Sequence, residues 1–294
     1  MIGLFANARS PLTHQGGTVG TPDVTLNNGI TMPQLGFGVW QVEDDEAERA
    51  VTTALQAGYR SIDTAAIYGN EEGVGRAIAA SDLARDELFV TTKLWNTDQG
   101  YDATLRAFDT SMDKLGLERL DLYLIHWSMP ERGLYKDTWK AFEKLYADGR
   151  VRAIGVSNFT LEALTEVLDA FDTVPAVNQI ELHPDFQQNG LREFHAEHGI
   201  RTEAWSPLGQ GKGLLNDPTL AAVAKAHGKT PAQVALRWHV QIGNIVIPKS
   251  VTPSRIAENI DVFDFELTPD DMAAIGDMDK GKRIGPDPAT FDLM

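Results

Sequence analysis

The stretch SIDTAAIYGNEEGVGRAI, residues 61–78, sets a carboxylate at Asp63 and a phenol at Tyr68 between a strand-like run and a helix-like run. Taken alone it also reads as a turn, with Asp63 closing the strand and Asn70 capping a helix whose Val74, Ala77 and Ile78 recur at helical spacing. Two further groups change the question: Lys93 at the end of FVTTKL and His126 at the end of DLYLIH. A phenol, an ammonium, a carboxylate and an imidazole together suit the reduction of a carbonyl, whose oxygen gains negative charge as hydride arrives and needs a proton. A phenol with a pKa of about 10 is a reluctant acid at neutral pH. A neighbouring Lys⁺ stabilises the phenolate, and a carboxylate keeps that lysine charged and oriented. An imidazole can donate a hydrogen bond to the same oxygen. Singly, each has a plain structural reading: a strand-end cap, a snorkelling base, a core histidine.

Such a set needs elements that bring distant strand ends together. From Leu35 onward, short β-branched or aromatic runs alternate with amphipathic ones, and eight candidate strands lie near GFGV, SIDT, FVTTKL, DLYLIHW, AIGVSN, AVNQIEL, RTEAWS and NIVIPKS. Helical stretches such as DEAERAVTTALQAG, TLRAFDTSMDKLG and TWKAFEKLYADG follow them. Eight βα repeats in 294 residues predict an α/β fold, a (β/α)8 TIM barrel, rather than an open doubly wound sheet. Catalytic groups of such barrels stand at the carboxyl ends of the strands, where Asp63, Lys93, His126, Ser157, Asn158, Trp205, Ser206, Lys249 and Ser250 gather, with Gln179 inside strand six. Before the barrel, VTLNNGITMPQLGFG predicts an N-terminal β-hairpin with a tight type I′ turn at Asn28-Gly29. Residues 1–22, rich in Gly, Thr, Ser and Pro, read as a flexible leader, and residues 23–294 as one domain.

Forty-two acidic against 26 basic side chains give a formal charge of −16, which disfavours nucleic acid and anionic membrane surfaces as partners. An anionic ligand then requires a local cluster of cations. Without cysteine there is no disulfide, thiolate nucleophile or thiolate metal site, so redox chemistry must come from a cofactor. The first apolar run, IGLFA, is too short for a signal-peptide core, and no apolar stretch approaches the roughly 20 residues of a spanning helix. A cytoplasmic protein is expected.

The sequence resembles the aldo-keto reductase superfamily from about Val24 to the C-terminus, through GFGVWQV, GYRSIDTAAIYGNEEGVGRAI, LFVTTKLWN, LDLYLIHW, AIGVSNF, VNQIELHP, EAWSPLGQGKG and IPKSVTPSRIAENIDVFDFELT. With the ending GKRIGPDPATF it is most similar to the bacterial 2,5-diketo-D-gluconate reductase group. The resemblance implies a catalytic set of Asp63, Tyr68, Lys93 and His126, NADPH as cofactor, cofactor binding first, and transfer from the 4-pro-R face of the nicotinamide. It implies that Trp205 stacks on the nicotinamide while Ser157, Asn158 and Gln179 hold its carboxamide. Ser206, Leu208, Gly209 and Gln210 would cover the pyrophosphate; Lys249, Ser250, Val251, Thr252 and Arg255 would take the 2′-phosphate, with Glu258 and Asn259 at the adenine. Trp40, Trp95, Trp127 and Phe291 are expected to wall the substrate pocket, and a small carbonyl compound is the expected partner of a monomer.

The segment PKSVTPSRIAEN also reads as an ordinary helix start, capped by Thr252 with Pro253 in the first turn. GQGKG lacks P-loop spacing, no GxGxxG follows the first strand, and Asn158-Phe159-Thr160 is a coincidental glycosylation triplet. His195 and His198 fall on a charged helix and read as a solvated face rather than a metal pair, and His183 as ordering its loop. Two other functions compete with reduction. A barrel lysine can form an aldolase Schiff base, but that requires a depressed lysine pKa. A catalytically idle NADPH-binding protein would keep the fold for interaction or regulation.

Overall fold

Alternation decides the architecture of the computed structural model, which describes residues 21–294; most of the expected leader therefore lies outside the described residues. Two short strands come first, β1 (Asp23–Thr25) and β2 (Thr31–Pro33), paired antiparallel. Eight parallel strands follow: β3 (Phe37–Gly38), β4 (Ser61–Asp63), β5 (Phe89–Leu94), β6 (Leu120–Ile125), β7 (Val151–Ser157), β8 (Val177–Glu181), β9 (Arg201–Trp205) and β10 (Ile245–Val246). Each is hydrogen-bonded to the next in chain order. Closure comes from residues in and just before β3: Gly36 N–H donates to Val246 O at 2.9 Å, Val246 N–H to Gln34 O at 2.9 Å, and Gly38 N–H to Pro248 O at 3.0 Å. The result is the (β/α)8 barrel.

Helices α1 (Asp44–Gln56), α2 (Glu71–Ala79), α3 (Tyr101–Leu115), α4 (Tyr135–Ala147), α5 (Leu161–Ala170) and α6 (Asn189–Glu197) each connect successive strands. After β9 the chain forms two helices, α7 (Pro218–His227) and α8 (Pro231–Gln241), each opened by a threonine or aspartate cap and a proline in the first turn. The chain closes with α9 (Pro253–Ile260) and α10 (Pro269–Gly276). Outward residues of the strands meet the helices: Tyr123 of β6 stacks on Phe142 of α4 and packs edge-on against Phe108 of α3. Inward residues fill the barrel.

The hairpin seals the lower end, where Leu26 and Met32 pack with Phe89, Leu122, Leu124, Ala153, Val177 and Ile245. Its turn is longer than the two residues expected. Leu26 N–H bonds to Ile30 O, Asn28 keeps negative φ, and only Gly29 is left-handed at 86°. Asn27 and Asn28 explain this, because their amides are drawn onto the carbonyls of Val174, Pro175 and Arg152 at the barrel base. Met32 is fully buried in that seal. Met32→Ala should therefore lower the unfolding free energy by roughly 2–5 kcal/mol, read as a shift of the urea midpoint at unchanged slope.

Candidate active site

The strand period of two turns Asp63 at the end of β4 and Lys93 near the end of β5 into the barrel. The Lys93 ammonium is fully buried and donates to Asp63 Oδ1 at 2.6 Å, to the Thr64 carbonyl at 2.8 Å and to the Tyr68 hydroxyl at 3.4 Å. All three of its donors are thus occupied. Tyr68 reaches that point from a short 3-10 turn, Ala66–Tyr68, which ends on Gly69 at φ 68°. Asn70 does not cap α2 with its side chain. Its carboxamide is instead fully buried, accepting from Thr64 Oγ1 at 2.7 Å and donating to Val39 and Val42 carbonyls at 2.9 and 2.8 Å. It ties the loop after β3 to the loop carrying Tyr68, while Asp44 of α1 takes the free Gly73 amide of α2 at 2.6 Å.

The electrostatics differ from the simple expectation of a lowered phenol pKa. Burial pushes the Tyr68 phenol up; Lys93 pulls it back, Asp63 behind that lysine opposes the pull, and the phenol stays above its ordinary value. Burial alone would depress Lys93, but Asp63 and the phenol oxygen outweigh it and hold the ammonium above its usual range. Such a lysine stays charged and is a poor Schiff-base nucleophile. Burial, then the Lys93 charge, drives His126 well below the usual imidazole value, so it is neutral at pH 7. Its Nδ1 is buried without a partner. His126 packs edge-on to Tyr68 at 5.7 Å and to Trp95 at 5.3 Å between ring centres.

Aromatic walls surround this centre unevenly. Trp95, Trp127 and Met129 form one cluster, and Phe291 of the C-terminal tail lies 4.1 Å from the Trp127 ring centre. Asn96 donates to the Leu293 carbonyl at 2.8 Å, which draws the tail across the mouth. Trp40 stands apart at the rim, 41% exposed. Glu181 holds the tail from the other side, its carboxylate accepting from Ile284 and Gly285 amides at 2.6 and 2.8 Å and facing His183. Gly285 is required there, since a Cβ would lie 2.5 Å from Trp205. Under the tail, a cavity of about 330 Å³ is bordered by Asn158, Glu181, Gln188 and Arg283, and none of the tetrad of Asp63, Tyr68, Lys93 and His126 lines it.

Ser157, Gln179 and Glu203 sit in one row, register partners across β7, β8 and β9. Ser157 Oγ donates to the Gln179 carbonyl at 2.9 Å; Asn158, at φ 57°, accepts from Trp205 Nε1 at 2.8 Å and donates to the His126 carbonyl at 3.0 Å. The Gln179 amide nitrogen donates to Asp63 Oδ2 at 2.8 Å and to Glu203 Oε2 at 2.9 Å. In the next loop Gln210 bonds Ser206 Oγ at 2.7 Å, Leu208 is half-buried and Gly209 is left-handed at φ 69°. At the start of α9, Thr252 occupies the cap position but makes no side-chain cap bond; its amide takes Ser250 Oγ at 3.1 Å. Lys249, Val251 and Arg255 are exposed, and among the described residues neither cation is paired with a carboxylate. Glu258 is held by the Thr230 hydroxyl at 2.7 Å, and Asn259 is buried beside it in sequence.

Two functional features escaped sequence reasoning. Glu203 is fully buried at the centre of the site, yet its position two residues before Trp205 in RTEAW would have faced it inward with Trp205. Glu181, which ties down the tail, had the same signal relative to Gln179. His195 is also corrected: it is fully buried, bonded to Asn178 at 2.9 Å and Thr202 at 2.8 Å, and pushed down to about 4 by burial and by Arg192. The carboxylates of α6, Glu193 and Glu197, are exposed. Of the two histidines only His198 is exposed, and among the described residues no cluster could hold a metal ion.

A closed parallel barrel that brings Asp63, Tyr68, Lys93 and His126 together at the carboxyl ends of its strands has its polar groups where barrel enzymes carry their active sites. A sequence profile of the Aldo/keto reductase family matches residues 34–280, and the chain belongs to that family. It is 60% identical over 275 residues to an aldo-keto reductase of Mycobacterium sp. (strain KMS), covering 94% of this chain and 99% of that one. It is 53% identical over 266 residues to the glyoxal reductase of Bacillus subtilis (strain 168), covering 90% and 95%. The crystal structure of a Gox0644 mutant in complex with NADPH superposes with a TM-score of 0.90 at 53% identity, covering 93% of this chain and 100% of that one.

Lys93→Met would strand the Asp63 carboxylate without its counter-charge, so it should cost roughly 3–5 kcal/mol in urea unfolding at pH 7. The double variant Asp63→Asn with Lys93→Met should recover a large part of that loss; equal losses would mean that the pair is not coupled.

Proposed function

We propose that this protein reduces aldehydes or ketones to alcohols with NADPH, Tyr68 giving up the proton. The observation that carries the reading is the chain of contacts from Asp63 to Lys93 at 2.6 Å and on to the Tyr68 hydroxyl at 3.4 Å. NADPH, when bound, supplies the hydride. Tyr68 donates its proton to the carbonyl oxygen as negative charge develops there, and Lys93 stabilises the phenolate left behind. Asp63 keeps the ammonium charged and aimed. His126, neutral, offers an N–H to the same oxygen, which orients it without adding a charge. The phenol is protonated throughout the neutral range, as an ordinary phenol is, and the charge of Lys93 works against the reluctance to give up the proton that burial imposes.

The residues fit the cofactor. Its 2′-phosphate is dianionic, and the uncapped N-terminus of α9 with exposed Lys249 and Arg255 supplies the local cations that an acidic protein needs. Ser250, Val251 and Thr252 complete that loop, with Glu258 and Asn259 near the adenine. Ser206, Leu208, Gly209 and Gln210 would lie over the pyrophosphate. Trp205 would stack on the nicotinamide with Ser157 and Asn158 beside it, and Gln179, whose nitrogen is committed to two carboxyls, offers its Oε1 to the carboxamide N–H.

For substrate, we favour small dicarbonyls and keto sugar acids of the 2,5-diketo-D-gluconate kind, walled by Trp95, Trp127 and Phe291, with Trp40 at the rim. The bacterial glyoxal reductase relative supports the first class and the GKRIGPDPATF tail the second. The aldolase reading is weakened by a lysine held above its usual pKa. An idle binding protein would have no need of the complete acid–base chain.

Tyr68→Phe should lower kcat by roughly 10²–10⁴ with NADPH affinity nearly unchanged; retention of half the wild-type rate would overturn the role of Tyr68. Arg255→Ala should weaken NADPH binding about 10- to 150-fold and leave NADH binding almost untouched, since charge-assisted bonds to phosphate are worth about 1.5–3 kcal/mol. Fluorescence titration of both cofactors reads the difference, and equal losses would move the phosphate site elsewhere.

A further inference from the structure

Asp63, Lys93 and Glu203 place two carboxyls and one ammonium in a region closed to water. Glu203 is fully buried, and among the described residues its carboxyl has one hydrogen bond, accepted from Gln179 at 2.9 Å; its second oxygen, Oε1, is buried with no partner. The groups facing it are Asp63 from β4, Lys93 from β5, Gln179 from β8 and the Tyr68 phenol, while β10 contributes Ile245 as register partner. Lys93 has spent its donors on Asp63, Thr64 and Tyr68, so none is left for Glu203. An ionised Glu203 would be a carboxylate with one orphaned oxygen beside a second carboxylate, and the site would carry a net negative charge where an oxyanion must form.

Resting on the reductase reading above, we propose that Glu203 is a neutral carboxylic acid in the working enzyme and a positioning residue for the reaction. Its two effects are distinct. It shares the Gln179 amide with Asp63, which fixes the orientation of that amide and so aims Oε1 away from both carboxyls. By staying protonated it also leaves Lys93 and Asp63 as a balanced pair, so the phenolate of Tyr68 forms against no additional negative charge. Burial, reinforced by Asp63 and only partly offset by Gln179 and Lys93, pushes Glu203 up to about 8, in keeping with this arrangement. The sign for stability follows. Between about 4.5 and about 8 the unfolded chain has released this proton and the folded chain has not, so Glu203 makes stability fall as pH rises through that window.

The protonation state can be read without turnover by labelling the glutamate carboxyls of the whole enzyme with ¹³C and titrating by NMR and infrared spectroscopy. One glutamate should keep its acid signal at pH 7, lose it near pH 8, and be missing from Glu203→Gln. The absence of any protonated glutamate at pH 7 would overturn the proposal, and because it needs no variant this arm survives a failure of Glu203→Gln to fold. In the pH profile, wild-type kcat should fall roughly three- to tenfold between pH 7 and pH 9 as Glu203 ionises beside Tyr68, and Glu203→Gln should remove that limb. The same alkaline limb in Glu203→Gln and wild type would overturn the positioning role. If Glu203 fails these tests while Tyr68→Phe still loses turnover, the reductase reading stands; if Tyr68→Phe is fully active while the acid signal is present, that reading fails and the buried acid remains.

Discussion

The buried ion pair of Lys93 and Asp63 is the constraint around which the upper barrel is arranged. An ammonium removed from water is tolerated only when its charge is matched and each N–H has an acceptor. Lys93 meets both conditions with a carboxylate, a backbone carbonyl and a phenol drawn from β4 and from the loop beyond it. That requirement bends the chain after Asp63 into the turn that brings Tyr68 back over the strand end, and Asn70 locks the turn by bonding to the loop after β3. The groups that the proposed reaction uses as acid and counter-charge are also the brace of the turn. Chemistry and local structure are here a single set of hydrogen bonds.

Around the pair, the barrel acts through a period of two. Lys93, His126, Ser157 and Gln179 face inward because each lies an even number of residues beyond Phe89, Leu124, Ala153 or Val177 of the lower seal, and Glu203 because it is in register with Ile245; Asp63 shares a row with Thr91, two residues before Lys93, and Trp205 lies two residues beyond Glu203. A slip of one residue in any strand would put its polar group against the helix layer and an apolar one at the mouth. The lower seal of Met32, Leu122, Leu124 and Ile245 therefore guards the register of the site above it. Ser157, Gln179 and Glu203, side by side on adjacent strands, also show how a parallel sheet turns three unrelated stretches of sequence into one polar row.

Much of this was legible in the chain. The eight strands stand where their β-branched runs lie, and the tetrad residues meet as strand-end positions of a closed barrel must. Legibility failed where a side chain had competing partners. Asn70 and Thr252 have the residue types of helix caps, but neither side chain caps; Asn70 gains three buried bonds instead, and such bonds outweigh one exposed cap. His195 lies among charged neighbours in LREFHAEHG, but its own face of the helix meets β8 and β9 through Asn178 and Thr202. Two helices rather than one stand between β9 and β10, which the βα repeat does not announce, because no rule of the repeat limits a connection to a single helix.

By itself the sequence determined which groups are available and on which side of each strand they fall, since residue type and the alternation of a strand are local properties. It therefore determined the barrel, the meeting of Asp63, Tyr68, Lys93 and His126, and the basic loop at Lys249 to Arg255. Only the tertiary structure decided the charge states: a phenol held up despite its lysine, a lysine held charged despite burial, a neutral His126, and a Glu203 pushed toward neutrality. Desolvation and the approach of a second charge are sums over everything within a few ångströms in space. Those neighbours come from strands up to 140 residues apart, as Asp63 and Glu203 do on the two sides of Gln179, and no reading along the chain can add them.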